Sequence, residues 1–406
     1  MNISDLFSNE KVNTGRQIEL DIAKGLSIIF MVFLHTLMVV PAFNADISST
    51  YSFIISNVLG RPFAAPIFMF CMGVGIVYSR HSQWDVMIKR GVHLFLLGIL
   101  VNVFEFYLPC YVCGTLLGKW DIFPTAGGLL LFCVDILAFA GIAFILIGIL
   151  KRLKLSNKQF IIVAVIMSLI GTFIRFTNFG FDVSPFFAHT FGISGQLESF
   201  PLFNEFLYPF ATFASGNEMG LNAINLFFAN FVGSEGKFGA FPVFNWFIFP
   251  IAGYIWGQYF IRAKDKGEFF KYWPVLIIVS LIYFFASSQL WGGIFSDDVH
   301  FYYFMTTLDA IFCIINAHGV IGLCYWIADY LPDKIKKVFS ILSSNITYIY
   351  IFQWLFIPLT VILISYFFKD LVMTDWVSSI ISIFMLILST VCAVYYKKLK
   401  SMVMGN

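Results

Sequence analysis

The sequence predicts an all-α fold, a polytopic transmembrane helix bundle of about ten spans with both termini cytoplasmic, and three observations carry that expectation. The first is composition: of 406 residues, 59% are hydrophobic and only 12% charged, with a mean hydropathy of +0.85, whereas a soluble domain carries about 25% charged residues. The second is a series of apolar runs, each close to the ~20 residues that a bilayer core demands. The third is the side on which the cations fall between those runs.

The first run, 22–41, follows a polar stretch at 1–15 and a charged approach of Arg16, Glu19, Asp21 and Lys24. It has no small-residue cleavage site at its end, so it is expected to stay as a span. The next four lie at 62–79, 92–108, 128–150 and 160–176. A long external segment at 177–242 then interrupts the series; it is rich in Phe, Gly, Ser and Asn and is broken by Pro185, Pro201 and Pro209. Its phenylalanines predict a segment that folds over the external mouth or packs on the bundle, with 207–232 apolar enough for a re-entrant or surface helix. Five further runs complete the set at 243–261, 272–289, 303–328, 346–367 and 377–396.

Cation placement tests that count. With the N-terminus inside, the cytoplasmic side collects Lys11, Arg16 and Lys24, then Arg80, Lys89 and Arg90, then the cluster from Lys151 to Lys158. The same side receives Arg262 to Lys271, Lys334 to Lys337 and Lys397 to Lys400. All but five of the 25 Lys and Arg fall there; the five are Arg61, Lys119, Arg175, Lys237 and Lys369. A missed or false span would scramble this alternation, so an even number of spans in one integral-membrane domain, 1–406, is expected.

Other classes are set aside by what the chain lacks. The net charge is +2 and no basic block with stacking residues lies outside the apolar runs, which argues against a nucleic-acid partner. Among the seven cysteines only Cys110 and Cys113 form a C-x-x-C, with no second pair to complete a zinc site, so no metal is expected. A disulfide there would require an oxidising compartment.

Within the first run stands His35. An ionisable group inside a span costs about 2.5 kcal/mol or more and faces a protein interior or a watery cavity, which makes it a functional candidate. It follows Lys24 by about 16 Å along a helix, so one end can hold a phosphate while the other does chemistry. A neutral imidazole suits general-base work at neutral pH; a structural hydrogen bond to a neighbouring helix is the competing account. Depth counting brings two carboxylates to the same level, Asp135 and Asp309, each either a partner of His35 or an interhelical hydrogen-bonding group. Asn102, His318, Asn345 and Gln353 are polar at membrane depth and suit a channel wall or helix-to-helix bonding. Glu105, near an external helix end, is expected to snorkel. Close helix packing is expected of Gly73 and Gly75.

The pattern Leu20-Asp21-x-x-Lys24-Gly25-Leu26 followed by His35 resembles the opening helix of the membrane acyltransferase superfamily, which includes acyltransferase-3 proteins and heparan-alpha-glucosaminide N-acetyltransferase-like proteins. The resemblance continues in order through Arg61-Pro-Phe-x-x-Pro66, Lys89-Arg90-Gly91 with Asn102, Asp135-Ile-Leu, Phe241-Pro-x-x-x-Trp246 with Gly253 and Gly257, and Asn345-x-x-Tyr348. Lys24 stands where the family usually has Arg, which keeps the charge but loses the bidentate fork.

The resemblance implies transfer of an acyl group, most commonly acetyl, from cytosolic acyl-CoA to a hydroxyl or amine at the far side of the membrane. It implies His35 as general base or acyl carrier and Asp135 as its orienting partner, while depth alone offers Asp309 as a second partner or acceptor contact. Lys24, Lys89 and Arg90 would clamp the nucleotide phosphates of acetyl-CoA, with Asn102 and Gln353 along the pantetheine arm. The expected surroundings are a lipid bilayer, with a multi-pass position in a bacterial cytoplasmic membrane, and a saccharide or lipid-linked acceptor. A homo-oligomer is compatible with the pattern. The competing function is a proton-coupled transporter or lipid flippase in which His35, Asp135, Asp309 and His318 form a path, although no internal repeat is visible to support it.

Overall fold

The computed structural model describes residues 6–119, 133–177 and 240–403. The expectations for 207–232, for the rest of 178–239 and for the start of the fourth run at 128–132 lie outside the described residues. Helices α1 (Ile18–Val39), α2 (Ala65–Tyr78), α3 (Trp84–Asn102), α4 (Leu108–Leu117), α5 (Ile136–Arg152) and α6 (Asn157–Thr177) form the first part of the bundle. They are followed by α7 (Ile248–Phe260), α8 (Trp273–Trp291), α9 (Thr307–Ala328), α10 (Asp333–Phe367) and α11 (Asp375–Val403). The only sheet among the described residues is a two-residue parallel pairing of Ala45–Asp46 with Met373–Thr374.

Eight helical stretches among the described residues are long and apolar enough to cross a membrane. The two remaining apolar runs are shorter. α5 has 17 residues, and α7 has 13 after a single turn at Val243–Trp246. Both pack lengthwise on full-length neighbours, α5 on α3 and α7 on α2. The chain is therefore an integral, multi-pass membrane protein.

Its helices bury small and polar groups and turn large apolar ones outward, the reverse of a soluble bundle. On α11, Trp376, Ile380, Phe384 and Ile387 are exposed at helical spacing, while Ser378, Ser382 and Ser389 are buried. With lipid as apolar as leucine, close approach and hydrogen bonds replace hydrophobic burial as the contact between helices. The α2–α7 pair shows this at Gly253, where any side chain would collide with the Phe70 carbonyl oxygen. Gly73 fits the same contact from the other side, against Pro250 and Tyr254; Gly75 meets nothing and opens onto a cavity. The expectation of close packing thus holds for the first of the two glycines and not for the second.

Arg16, just before α1, and Lys397, late in α11, lie at one end of the bundle, against the start of α10. Arg16 donates to the Ser340 carbonyl at 2.8 Å, and Lys397 reaches the Ser344 carbonyl at 3.2 Å. At the same end Lys266 pairs with the buried Glu19 at 2.6 Å, and Asp21 takes an ion pair from Arg16 and a hydrogen bond from Ser343 at 2.7 Å. These contacts fix the first turn of α1, and with it the direction in which Lys24 points.

Candidate functional site

Two cavities lie one beyond the other along α1. The first, of about 200 Å³, is lined by Lys24, Arg90, His81, Ser79, Ser82, Ser343 and Thr347 among apolar neighbours from α2, α3 and α5. The second, of about 250 Å³, is lined by His35, Glu105, Asp135, Tyr302, Tyr303 and Trp354 with apolar side chains of α1 and α2. They adjoin closely: Ile136 lines the second and Leu137, the next residue of α5, lines the first.

The structure brings Lys24 and Arg90 together in the first cavity. The Arg90 guanidinium lies 4.8 Å from the centre of the ring of Phe144, which lines the same cavity and attracts the cation to its face. Lys89, its sequence neighbour, is exposed and does not line this cavity. His81 is part of its wall as well.

In the second cavity His35 is held on two sides. Its ring stacks on Trp354 with centroids 4.2 Å apart and an interplanar angle of 27°, and Tyr350 meets it edge-on at 6.2 Å. The Gln353 amide nitrogen lies 3.0 Å from Nδ1. With the amide donating, the imidazole carries its hydrogen on Nε2. The amide oxygen has no partner among the described residues, so a half-turn of the amide lets it accept from Nδ1–H and leaves Nε2 as a base. Gln353, expected along a channel, is therefore a hydrogen-bond partner of His35 at Nδ1. No hydrogen bond joins His35 to Asp135 among the described residues.

Asp135 nevertheless shares the cavity. It stands at the N-cap of α5 but makes no side-chain cap hydrogen bond, and its Oδ2 is buried without a partner among the described residues. Its position is fixed by the backbone: Phe241 N–H donates to the Val134 carbonyl at 3.1 Å, and Asn102 Nδ2 donates to the Cys133 carbonyl at 2.9 Å. Asn102 thus acts through the loop that carries Asp135. Glu105 corrects the expectation of snorkelling. It is 5% exposed, because π-helical turns over Val103–Tyr107 widen the helix and rotate its carboxyl inward to the cavity.

Asp309 is not brought to His35. Its carboxylate closes a capping box with Thr306, accepting from the Thr306 N–H at 2.9 Å and hydroxyl at 2.7 Å. It also accepts from Tyr283 at 2.9 Å and pairs with Arg175 at 3.7 Å. Depth along the span was the same, but the capping geometry turns the side chain back onto its own helix start. Arg175 in turn donates to the Phe304, Trp291 and Gly292 carbonyls. The same connection, 292–306, receives Arg61 on the Ile294 carbonyl at 2.9 Å, Asn245 on the Met305 carbonyl at 2.8 Å and Trp246 on the Tyr303 carbonyl at 2.7 Å. Asp309 therefore helps hold the connection whose Tyr302 and Tyr303 form a wall of the cavity. Burial pushes both phenols up from their ordinary range, so they stay protonated hydrogen-bonding groups. His318 is likewise off the path: it accepts from Trp256 Nε1 at 2.8 Å among Phe269 and Phe270. Asn345 bonds within its own helix, to the Ile341 carbonyl at 2.8 Å.

A family model described as an acyltransferase domain matches residues 17–397, nearly the whole chain and both cavities. The chain belongs to the acyltransferase-3 family. No similar curated protein and no similar solved structure was found. The match makes the chain an acyltransferase of the membrane, and its range includes every residue of the two sites. The sequence pattern had not singled out Trp354 or Tyr302 and Tyr303 for the site. Trp354 follows Gln353 on α10, and its signal was its place in a run that also carries Asn345 and Tyr348. The two tyrosines sit in a connection whose position only the fold determines.

Proposed function

We propose that this acyltransferase takes an acyl group, most simply acetyl, from cytosolic acyl-CoA in the Lys24 cavity and transfers it in the His35 cavity to a hydroxyl or amine of a saccharide or other envelope acceptor on the opposite side of a bacterial cytoplasmic membrane. The observation that carries this reading is the placement of the two cavities on consecutive residues of α5, one with cations at its wall and the other with a half-buried imidazole. The axial separation of Lys24 and His35, about 16 Å, suits a phosphate-bearing carrier with a long thin arm. Lys24 and Arg90 would hold the phosphates by charge-assisted hydrogen bonds, and the arm would pass Leu137 and Ile136 to set the thioester beside His35.

At that depth the neutral imidazole Nε2 takes the proton from the acceptor as its nucleophilic atom attacks the thioester carbonyl. The C–S bond breaks and the CoA thiolate takes the proton from the imidazolium. Gln353 fixes the ring through Nδ1, and Trp354 restrains its plane. Wild-type and His35→Ala protein incubated with acetyl-CoA and an envelope saccharide preparation as acceptor test this. Thiol release should fall to the uncatalysed level, a loss on the order of 100-fold or more. Release at the wild-type rate would remove His35 from the chemistry. A transporter would instead move a solute with no thiol released.

A further inference from the structure

We propose that the His35 cavity takes its acceptor as an amine on a sugar-sized body, bound as an ammonium between Glu105 and Asp135; this rests on the reading of that cavity as the acceptor site. Five acidic side chains are buried among the described residues: Glu19, Asp21, Glu105, Asp135 and Asp309. Three of them have a cation of their own, Glu19 with Lys266, Asp21 with Arg16 and Asp309 with Arg175. Glu105 and Asp135 join no ion pair among the described residues. They are 5% and 8% exposed, and each has a carboxyl oxygen without a hydrogen-bond partner among those residues. The two groups are within electrostatic reach of each other and line the same cavity. Two ionised carboxyls in one low-dielectric space repel, and removing them from water is costly unless a cation joins them. Arg61 is the one buried cation among the described residues; its Nη1 donates to the Ile294 and Ser296 carbonyls, and it forms no ion pair with either carboxyl among those residues. A cation that arrives from outside would complete the pair and hold both groups ionised.

The rest of the wall describes what carries it. Phe241, Tyr302, Tyr303 and Trp354 present aromatic surface, which attracts a cation and stacks on the C–H face of a sugar ring. Trp354 is 5% exposed, and its Nε1–H has no acceptor among the described residues. It is an independent donor for an oxygen on the incoming molecule. A volume of about 250 Å³ is on the scale of one sugar ring.

The reaction follows with its protons accounted for. The ammonium gives one proton to a carboxylate and becomes a neutral amine. The amine lone pair attacks the thioester carbon while His35 takes a second proton from nitrogen, and the C–S bond breaks. The thiolate takes that proton from His35, leaving an amide and free CoA, and the carboxyl later releases the first proton to water.

The bond type of the product tests the proposal. Envelope material from cells with and without the gene is compared by mass spectrometry before and after mild alkali, which cleaves O-acyl esters and spares N-acyl amides. A gene-dependent acyl group that survives alkali is expected. A gene-dependent group that alkali removes, or none of either kind, overturns the amine proposal. Glu105→Gln and Asp135→Asn protein, checked for folding by retained acetyl-CoA binding, should lower N-acyl product by about 30-fold or more, the scale of breaking a buried charge pair; unchanged product overturns it as well. Titration of acetyl-CoA into the wild-type protein, set beside the bond type of the product, separates the two readings. Donor binding with ester product only leaves acyl transfer standing and removes the amine, whereas absent donor binding removes the acyl-CoA reading itself.

Discussion

Gln353 offers the sharpest perturbation of the chemistry because it touches His35 at one atom and lines neither cavity. Leucine at this position preserves bulk on α10 and removes the contact to Nδ1 at 3.0 Å, while the Trp354 stack at 4.2 Å stays. A buried polar atom that loses its partner costs about 1–3 kcal/mol. If that cost falls on the reacting arrangement, Gln353→Leu should slow thiol release from acetyl-CoA by about 10- to 100-fold with donor affinity unchanged. Gln353→Glu separates orientation from packing. A carboxylate can only accept, so it holds Nδ1–H and leaves Nε2 as base; it should recover most of the rate that leucine loses. The assay is thiol release under saturating donor, with affinity measured separately by calorimetry. Full activity in Gln353→Leu would refute the orienting role, and a Gln353→Glu protein as slow as the leucine variant would refute the base tautomer.

Other expectations follow from the same contacts. Asp309→Ala should destabilise the protein by about 2–3 kcal/mol through the lost cap and the broken buried pair, with Arg175 keeping three carbonyl partners; a melting temperature equal to wild type would contradict its structural assignment. Lys24→Arg should tighten acetyl-CoA binding by restoring a bidentate fork, and weaker binding would place the phosphates elsewhere. Raising the salt concentration should weaken donor binding, because Lys24 and Arg90 act through charge at an open cavity; salt-independent affinity would argue for recognition without them.

Much of the bundle was legible because its period and charge placement are set by the bilayer. Ten apolar runs answer to eight long helices and two short ones, and α1 carries Lys24 and His35 to different cavities, as their spacing requires. The carboxylates were less legible. Depth along a span follows from counting residues, but the direction of a side chain depends on local turns. Asp309 sits three residues after Thr306 and folds back into a capping box, whereas Asp135 at an N-cap leaves its carboxyl to the cavity. Glu105 is turned inward by π-helical backbone that no apolar periodicity announces. Gln353 and Trp354 reach His35 from more than 300 residues away in sequence, a meeting created by the packing of α1 on α10. Lys89 and Arg90 show the same limit at the other end: adjacent cations on a helix point in different directions, and only Arg90 has Phe144 to hold it over the cavity.

In the proposed function, donor binding and chemistry occupy different cavities along α1. Calorimetric titration of acetyl-CoA into the wild-type, Lys24→Ala and His35→Ala proteins measures it directly. Wild type and His35→Ala should bind alike, and Lys24→Ala should bind about 10-fold or more weakly, the loss of one charge-assisted contact. No binding to folded wild-type protein, or equal losses in both variants, would contradict the division between the Lys24 and His35 cavities.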